Sequence, residues 1–224
     1  MKILLNTLVL IFLSTFIFAQ NDSIYFPYLL NGEVGTKSTL NINSGSGNKV
    51  GSQITEITEK YSDGDTTFMK LCSSTTGIGS VKLIYIVKSY NDTSFIELKT
   101  YLNVENYVKL GVLTLEPEWM IMPYEYVENQ EVVGYTMTRD YGSYQIITKM
   151  KDRKVVGFET ISTPAGDFEC VKTSYVIEGK TNYGTFISNY VNWENKEVGL
   201  VKQEAYTESG RMETSYVLQS IDIK

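Results

Sequence analysis

Hydrophobic residues along this chain follow two patterns. In the first, a mostly apolar run from Ile3 to Leu13 follows Lys2, breaks at Ser14-Thr15 and resumes from Phe16 to Ala19 before polar Gln20-Asn21-Asp22. A basic start, a short apolar stretch and a small residue at its end mark a secretory signal peptide, and the stretch is too short to span a bilayer. Residues 1–19 are expected to be removed, leaving residues 20–224 as a single exported domain with no stable membrane insertion. Gln20 stands where a lipid-anchored protein would need a cysteine, so no lipid anchor is expected.

The second pattern has period two and fills the rest of the chain. Val81, Leu83, Tyr85 and Val87 alternate with Lys82, Ile84, Ile86 and Lys88, a strand apolar on both faces at its centre. Runs rich in β-branched and aromatic residues are separated by turn chemistry at Ser62-Asp63-Gly64, Asn91-Asp92, Asp140-Tyr141-Gly142, Lys151-Asp152-Arg153, Pro164-Ala165-Gly166, Gly179-Lys180, Asn195-Lys196-Glu197 and Glu208-Ser209-Gly210. Thr93 to Leu102 reads as one strand. Val104 to Leu110 is the best helical candidate, with Gly111 placed to cap it. Short connections favour antiparallel neighbours. The predicted fold is all-β, a single antiparallel meander of about ten strands curled into a half-barrel or open barrel, because a flat sheet of that size would leave edges and a face uncovered.

Composition narrows the chemistry. The net charge is −6, and removal of Lys2 with the signal peptide makes the exported chain more acidic still, which disfavours nucleic acid and anionic membrane surfaces. Histidine is absent, so Ser-His-Asp and Cys-His catalysis and histidine-based zinc sites are excluded. Cys72 and Cys170 are the two cysteines. An oxidising compartment permits a bridge between them, and each equally suits the role of a small buried hydrophobe.

Three segments carry a resemblance. Tyr25-Phe26-Pro27 followed by Asn31-Gly32-Glu33, then Thr163-Pro164-Ala165-Gly166-Asp167-Phe168 running on to Lys172, and finally Gly199-Leu200-Val201-Lys202 resemble motifs of a family of exported β-rich proteins common in Bacteroidetes-type bacteria. The resemblance implies kinship with the lipoprotein-localisation half-barrels, in which a curled antiparallel sheet shelters an apolar groove, and it implies no established activity. Read as residues, Pro164 and Gly166 suit a tight turn, and Gly199 inside an apolar run marks a bulge or a close backbone crossing.

Candidate chemistry is sparse. Asp63-Gly64-Asp65 lacks the further oxygen ligands of a calcium loop and reads as a hairpin turn. Glu116, Glu118, Glu125 and Glu128 lie near Trp119, Tyr124 and Tyr126, as acids and aromatics do in sugar clefts, but acids on strand faces are ordinarily solvated. Trp119-Met120-Ile121-Met122-Pro123 is the segment of most interest. Methionine adapts to irregular apolar shapes, which suits either a core plug or the mouth of a lipid site. The expected function is a non-enzymatic, cofactor-free binding module of the cell envelope, taking a lipophilic small molecule in a groove partly lined by Trp119, Met120 and Met122. The alternative is an interaction protein that joins an envelope protein through exposed strand edges and tyrosines.

Overall fold

The computed structural model describes residues 32–77, 81–90, 93–104, 108, 112–122, 125–142 and 144–224. The signal peptide, Gln20, the Tyr25-Phe26-Pro27 motif and the Asn91-Asp92 turn lie outside the described residues. The chain forms β1 (Lys37–Ser44), β2 (Lys49–Asp63), β3 (Thr66–Thr76), β4 (Val81–Tyr90), β5 (Thr93–Glu97), the helical turn α1 (Leu98–Tyr101), β6 (Leu113–Glu116), β7 (Trp119–Met122), β8 (Tyr135–Asp140), β9 (Gln145–Thr163), β10 (Gly166–Thr181), β11 (Gly184–Asn195), β12 (Gly199–Thr207) and β13 (Met212–Asp222).

All thirteen strands join one antiparallel sheet in the order β6-β8-β9-β10-β11-β12-β13-β1-β2-β3-β4-β5-β7. The all-β curled architecture is as the period-two pattern predicts, with thirteen strands where about ten were expected. Most neighbours are sequential hairpins. Two departures shape the molecule. β1 pairs with β13, joining the first and last strands in register from Lys37↔Asp222 to Ser44↔Thr214. β6 and β7, the two edges of the sheet, are joined in the chain through Pro117-Glu118 alone. The sheet therefore comes round on itself into a nearly closed barrel, with a seam where β6 and β7 meet without a ladder between them.

Several local expectations change. Thr93 to Leu102 does not run as one strand: β5 stops at Glu97 and α1 follows, its Thr100 hydroxyl accepting from the Ile86 amide at 3.4 Å where β5 no longer reaches. Of the helix expected over residues 104–110, Val104 and Val108 are described, linked by a 3.1 Å amide-to-carbonyl bond. Gly179-Lys180 is not a turn. β10 continues to Thr181 because the Phe186 ring of β11 lies directly over Gly179, where any Cβ would collide with it. Lys151-Asp152-Arg153 is not a turn either, and β9 continues beyond it.

The break that the sequence suggests at Lys151-Asp152-Arg153 is a β-bulge. Ser174 of β10 pairs with Lys154 and Val176 with Lys151, so Asp152 and Arg153 together oppose Tyr175. Asp152 takes the extra position with φ +54°, a left-handed conformation that aspartate tolerates better than most residues. The inserted residue exchanges the two faces of β9. Met150 points inward before the bulge, Asp152 is exposed in it, and Arg153 and Val155 point inward after it.

Inside the barrel the main cluster runs from Ile57 and Leu71 through Tyr85, Val87 and Ile96 to Leu98, Tyr101 and Leu113, then to Tyr135, Tyr175 and Ile177. Each large side chain so buried contributes roughly 1.5–3 kcal/mol. A second cluster gathers Leu40, Ile42, Tyr216, Leu218, Leu200, Trp193 and Cys170, and Ile161, Ala165 and Phe168 at the tip of the β9–β10 hairpin pack against it. The Pro164-Ala165 turn thus has a structural task. Cys72 and Cys170 are free thiols, so the permitted bridge does not form. β11, β12, β13, β1 and β2 lie between their strands, which keeps the two thiols apart.

Candidate functional site

Of the residues singled out in the sequence, Met120 and Met122 meet and Trp119 does not join them. β7 pairs with β5 in the register Met120↔Ile96 and Met122↔Ser94, which puts both methionines on the inner face at 0% and 1% exposure. Trp119 alternates to the opposite face, where the Lys88 ammonium stands 4.1 Å from its ring centroid and 5.3 Å from that of Phe95.

The interior gathers methionines that are far apart in the chain. Met69 from β3, Met137 from β8 and Met150 from β9 join Met120 and Met122, so five of the seven methionines share one cluster. β7 lies at one edge of the sheet, and β8 and β9 lie next to the other. The cluster therefore sits behind the seam. Arg153, 2% exposed, spans it: Nη2 donates to the Met122 sulfur at 3.1 Å and Nη1 to the Ile121 carbonyl at 3.4 Å.

Beside the methionines, the inner face of β10, β11 and β12 carries a polar row. Thr173 pairs with Asn192, and Asn192 with Gln203, each fully buried. Gln203 Nε2 donates to Asn192 Oδ1 at 2.8 Å and to the Tyr175 hydroxyl at 3.2 Å, and Asn192 Nδ2 donates to Glu194 Oε1 at 3.3 Å. Tyr175, stacked on Tyr190 at 5.0 Å, belongs to the apolar cluster as well. It joins the two regions.

Glu194 is the unusual member. Its carboxyl is 1% exposed, and burial pushes its pKa up to about 7, with the Arg153 guanidinium and the Asn192 amide pulling it part of the way back. Among the described residues, Glu194 Oε2, Thr173 Oγ1 and Gln203 Oε1 have no hydrogen-bond partner on the protein. A buried polar atom left unpaired costs about 1–3 kcal/mol. Three in one row are a poor way to stabilise a fold and a common sign of a site.

None of this row was singled out in the sequence. On β11, Asn192 and Glu194 alternate with Val191 and Trp193, and period two alone would turn the apolar pair inward. The structure reverses it. Trp193 is buried on the other face beneath two ammonium groups, Lys202 at 4.6 Å and Lys172 at 5.0 Å from its ring. Its indole N–H donates to Glu159, and that bond with the Lys172 ion pair holds the Glu159 carboxyl below the usual range. No local signal marked it, since Lys172 and Lys202 stand on the neighbouring strands and meet Trp193 only through the pairing of the sheet. Arg153 was hidden by its place in an apparent turn.

Comparison with known proteins bears on the fold. An exported protein with a YmcC-like fold from Bacteroides fragilis superposes with a TM-score of 0.66 at 16% identity, over 89% of this chain and 99% of its own. A lipoprotein from Parabacteroides distasonis superposes with a TM-score of 0.68 at 18% identity, over 88% of this chain and 99% of its own. At such identities the likeness is one of fold. No curated protein matches the chain. The resemblance to exported Bacteroidetes-type proteins holds in these neighbours and in a family model that spans residues 31–218, and the chain belongs to the DUF3108-like family.

Proposed function

We propose that this protein is exported, carries no lipid anchor, and acts in the cell envelope as a non-catalytic binding module that shelters an apolar or lipid-like ligand inside its curled sheet. The observation that carries the reading is the convergence of Met69, Met120, Met122, Met137 and Met150 behind the seam. Unbranched, polarisable side chains can refold around a guest of variable shape, where β-branched residues could not. The seam adds a route. β6 and β7 share no ladder, so they can part without breaking backbone bonds to each other, and the side-chain bonds of Arg153 to Met122 and Ile121 are among those that must yield. The lack of histidine supports a role without catalysis, and Gln20 after Ala19 supports an unlipidated start.

Native mass spectrometry of protein purified from its own envelope tests the binding role and should show a bound lipid. Folded protein that carries none and takes up no lipophilic dye overturns it. Intact mass tests the anchor: a chain beginning at Gln20 is expected, and a lipidated one refutes that part.

A second reading has its own observation. β5 pairs with β4 at Val87–Tyr90, so among the described residues Val81–Tyr85 are paired on one side, with Ile84 exposed beside them. An envelope protein could add a strand there. Cross-linking from position 84 in cells should then capture one protein, and its failure to do so counts against this reading.

A further inference from the structure

We infer that the sheltered ligand is amphipathic and that its polar end is an uncharged hydrogen-bond donor, a hydroxyl or amide group, received by Thr173, Glu194 and Gln203. The inference rests on the binding role proposed above and names the chemistry of the ligand's other end.

What the polar row leaves open is mainly acceptors. Gln203 Nε2 is engaged by Asn192 and Tyr175, and Asn192 Nδ2 by Glu194. What remains open, among the described residues, is one carboxylate oxygen of Glu194, the amide oxygen of Gln203 and the Thr173 hydroxyl. Two of these can only accept while Glu194 is ionised, and the third accepts as readily as it donates. A guest that satisfies them must bring N–H or O–H groups. A carboxylate or phosphate would face unpaired acceptor oxygens in a site that excludes water, which is strongly unfavourable. The neutral tendency of the Glu194 carboxyl points the same way, since a hydroxyl can bond either protonation state.

Position completes the argument. Tyr175 touches the row through its hydroxyl and the apolar cluster through its ring, and Arg153 acts on Glu194 while bonding the Met122 sulfur. An acyl chain among the methionines would therefore hold its head beside Glu194. A chain esterified to a polyol has this form.

Oleic acid and its glycerol monoester share one chain and differ at the head, so displacement of a fluorescent lipophilic dye by each separates the possibilities. The monoester is expected to displace dye at concentrations about tenfold or more below those of oleate, the worth of one good hydrogen bond. Thr173→Val, nearly isosteric and lacking the open hydroxyl, should weaken the monoester several-fold with little effect on oleate, in a protein whose melting temperature does not fall. Equal displacement, or tighter oleate, overturns the head-group assignment and leaves the binding role standing. Folded protein that binds neither dye nor monoester overturns the binding role itself.

Discussion

Arg153 of β9 donates to the Met122 sulfur of β7 at 3.1 Å, across the seam between the two edges of the sheet. The bond ties together the two ends of a thirteen-stranded sheet and links its polar row to its methionines. It exists because a single inserted residue, Asp152, turns Arg153 inward.

Arg153→Ala should therefore cost more than a lost contact. It removes the bonds to Met122 and Ile121 together with the cation that draws the Glu194 carboxyl down, so the loss should exceed the roughly 1 kcal/mol of a single hydrogen bond. Met122→Leu keeps the volume and should cost less than about 1.5 kcal/mol, whereas Met122→Ala opens a cavity and should cost about 2–5 kcal/mol. Urea melts of the three variants check the order. An Arg153→Ala protein as stable as the wild type would show that the seam is held by other means.

Stability should fall as pH rises through the range in which Glu194 titrates. Its pKa is raised in the folded protein from 4.5 to about 7, so between these values the folded state holds a proton that the unfolded state has released. The contribution is fully present below about pH 4.5, is lost up to about pH 7, and amounts to about 3 kcal/mol by linkage. Glu159 and Glu178, held below the usual range, act only on the acid side of that window. Glu194→Gln should flatten the slope, and denaturant titrations of both proteins across the window would reveal it. Parallel curves would refute the assignment.

Gly199 opens β12 with φ +82°, paired to Asn195 beside a register shift between Trp193 and Glu194. A β-branched side chain is strained there, so Gly199→Val should destabilise by roughly 1–3 kcal/mol. An unmoved denaturation midpoint would make the glycine an ordinary strand position.

The thiols should react in two phases. Cys72 is half-buried, whereas Cys170 is buried, donates to the Phe168 carbonyl at 3.4 Å, and has its pKa pushed up to about 12 by burial. A thiol reagent should modify one cysteine in the native protein and the second after unfolding, and non-reducing mass analysis should find both reduced. An oxidised pair would contradict the placement of β3 and β10.

Much of the fold could be read locally. The strands from Lys49 to Tyr90 and from Gly184 to Asp222, with the turns at Gly64, Pro164-Ala165 and Glu208-Ser209-Gly210, follow from alternation and turn chemistry that need no distant partner. The short strands β6 and β7 escaped because four residues hold too little periodicity to show it, and their order in the sheet is exchanged relative to the chain. Met120 and Met122 were legible as an unusual apolar pair. Trp119, their neighbour, was assigned to the same groove and lies on the opposite face because successive residues of a strand cannot share one.

By itself, the amino-acid sequence determined the all-β class and the lack of histidine chemistry, since each is a property of composition or of neighbours a few residues apart. Only the tertiary structure decided what the barrel encloses. Which side chains point inward depends on a count of two that every bulge resets, and the bulge at Asp152-Arg153 exchanged the faces of β9. Asn192 and Glu194 point inward because Lys172 and Lys202 cover Trp193 on the outside, an arrangement made by three strands at once. The methionine cluster draws on strands from β3 to β9, and no local rule brings such distant residues together; the closing of the sheet does.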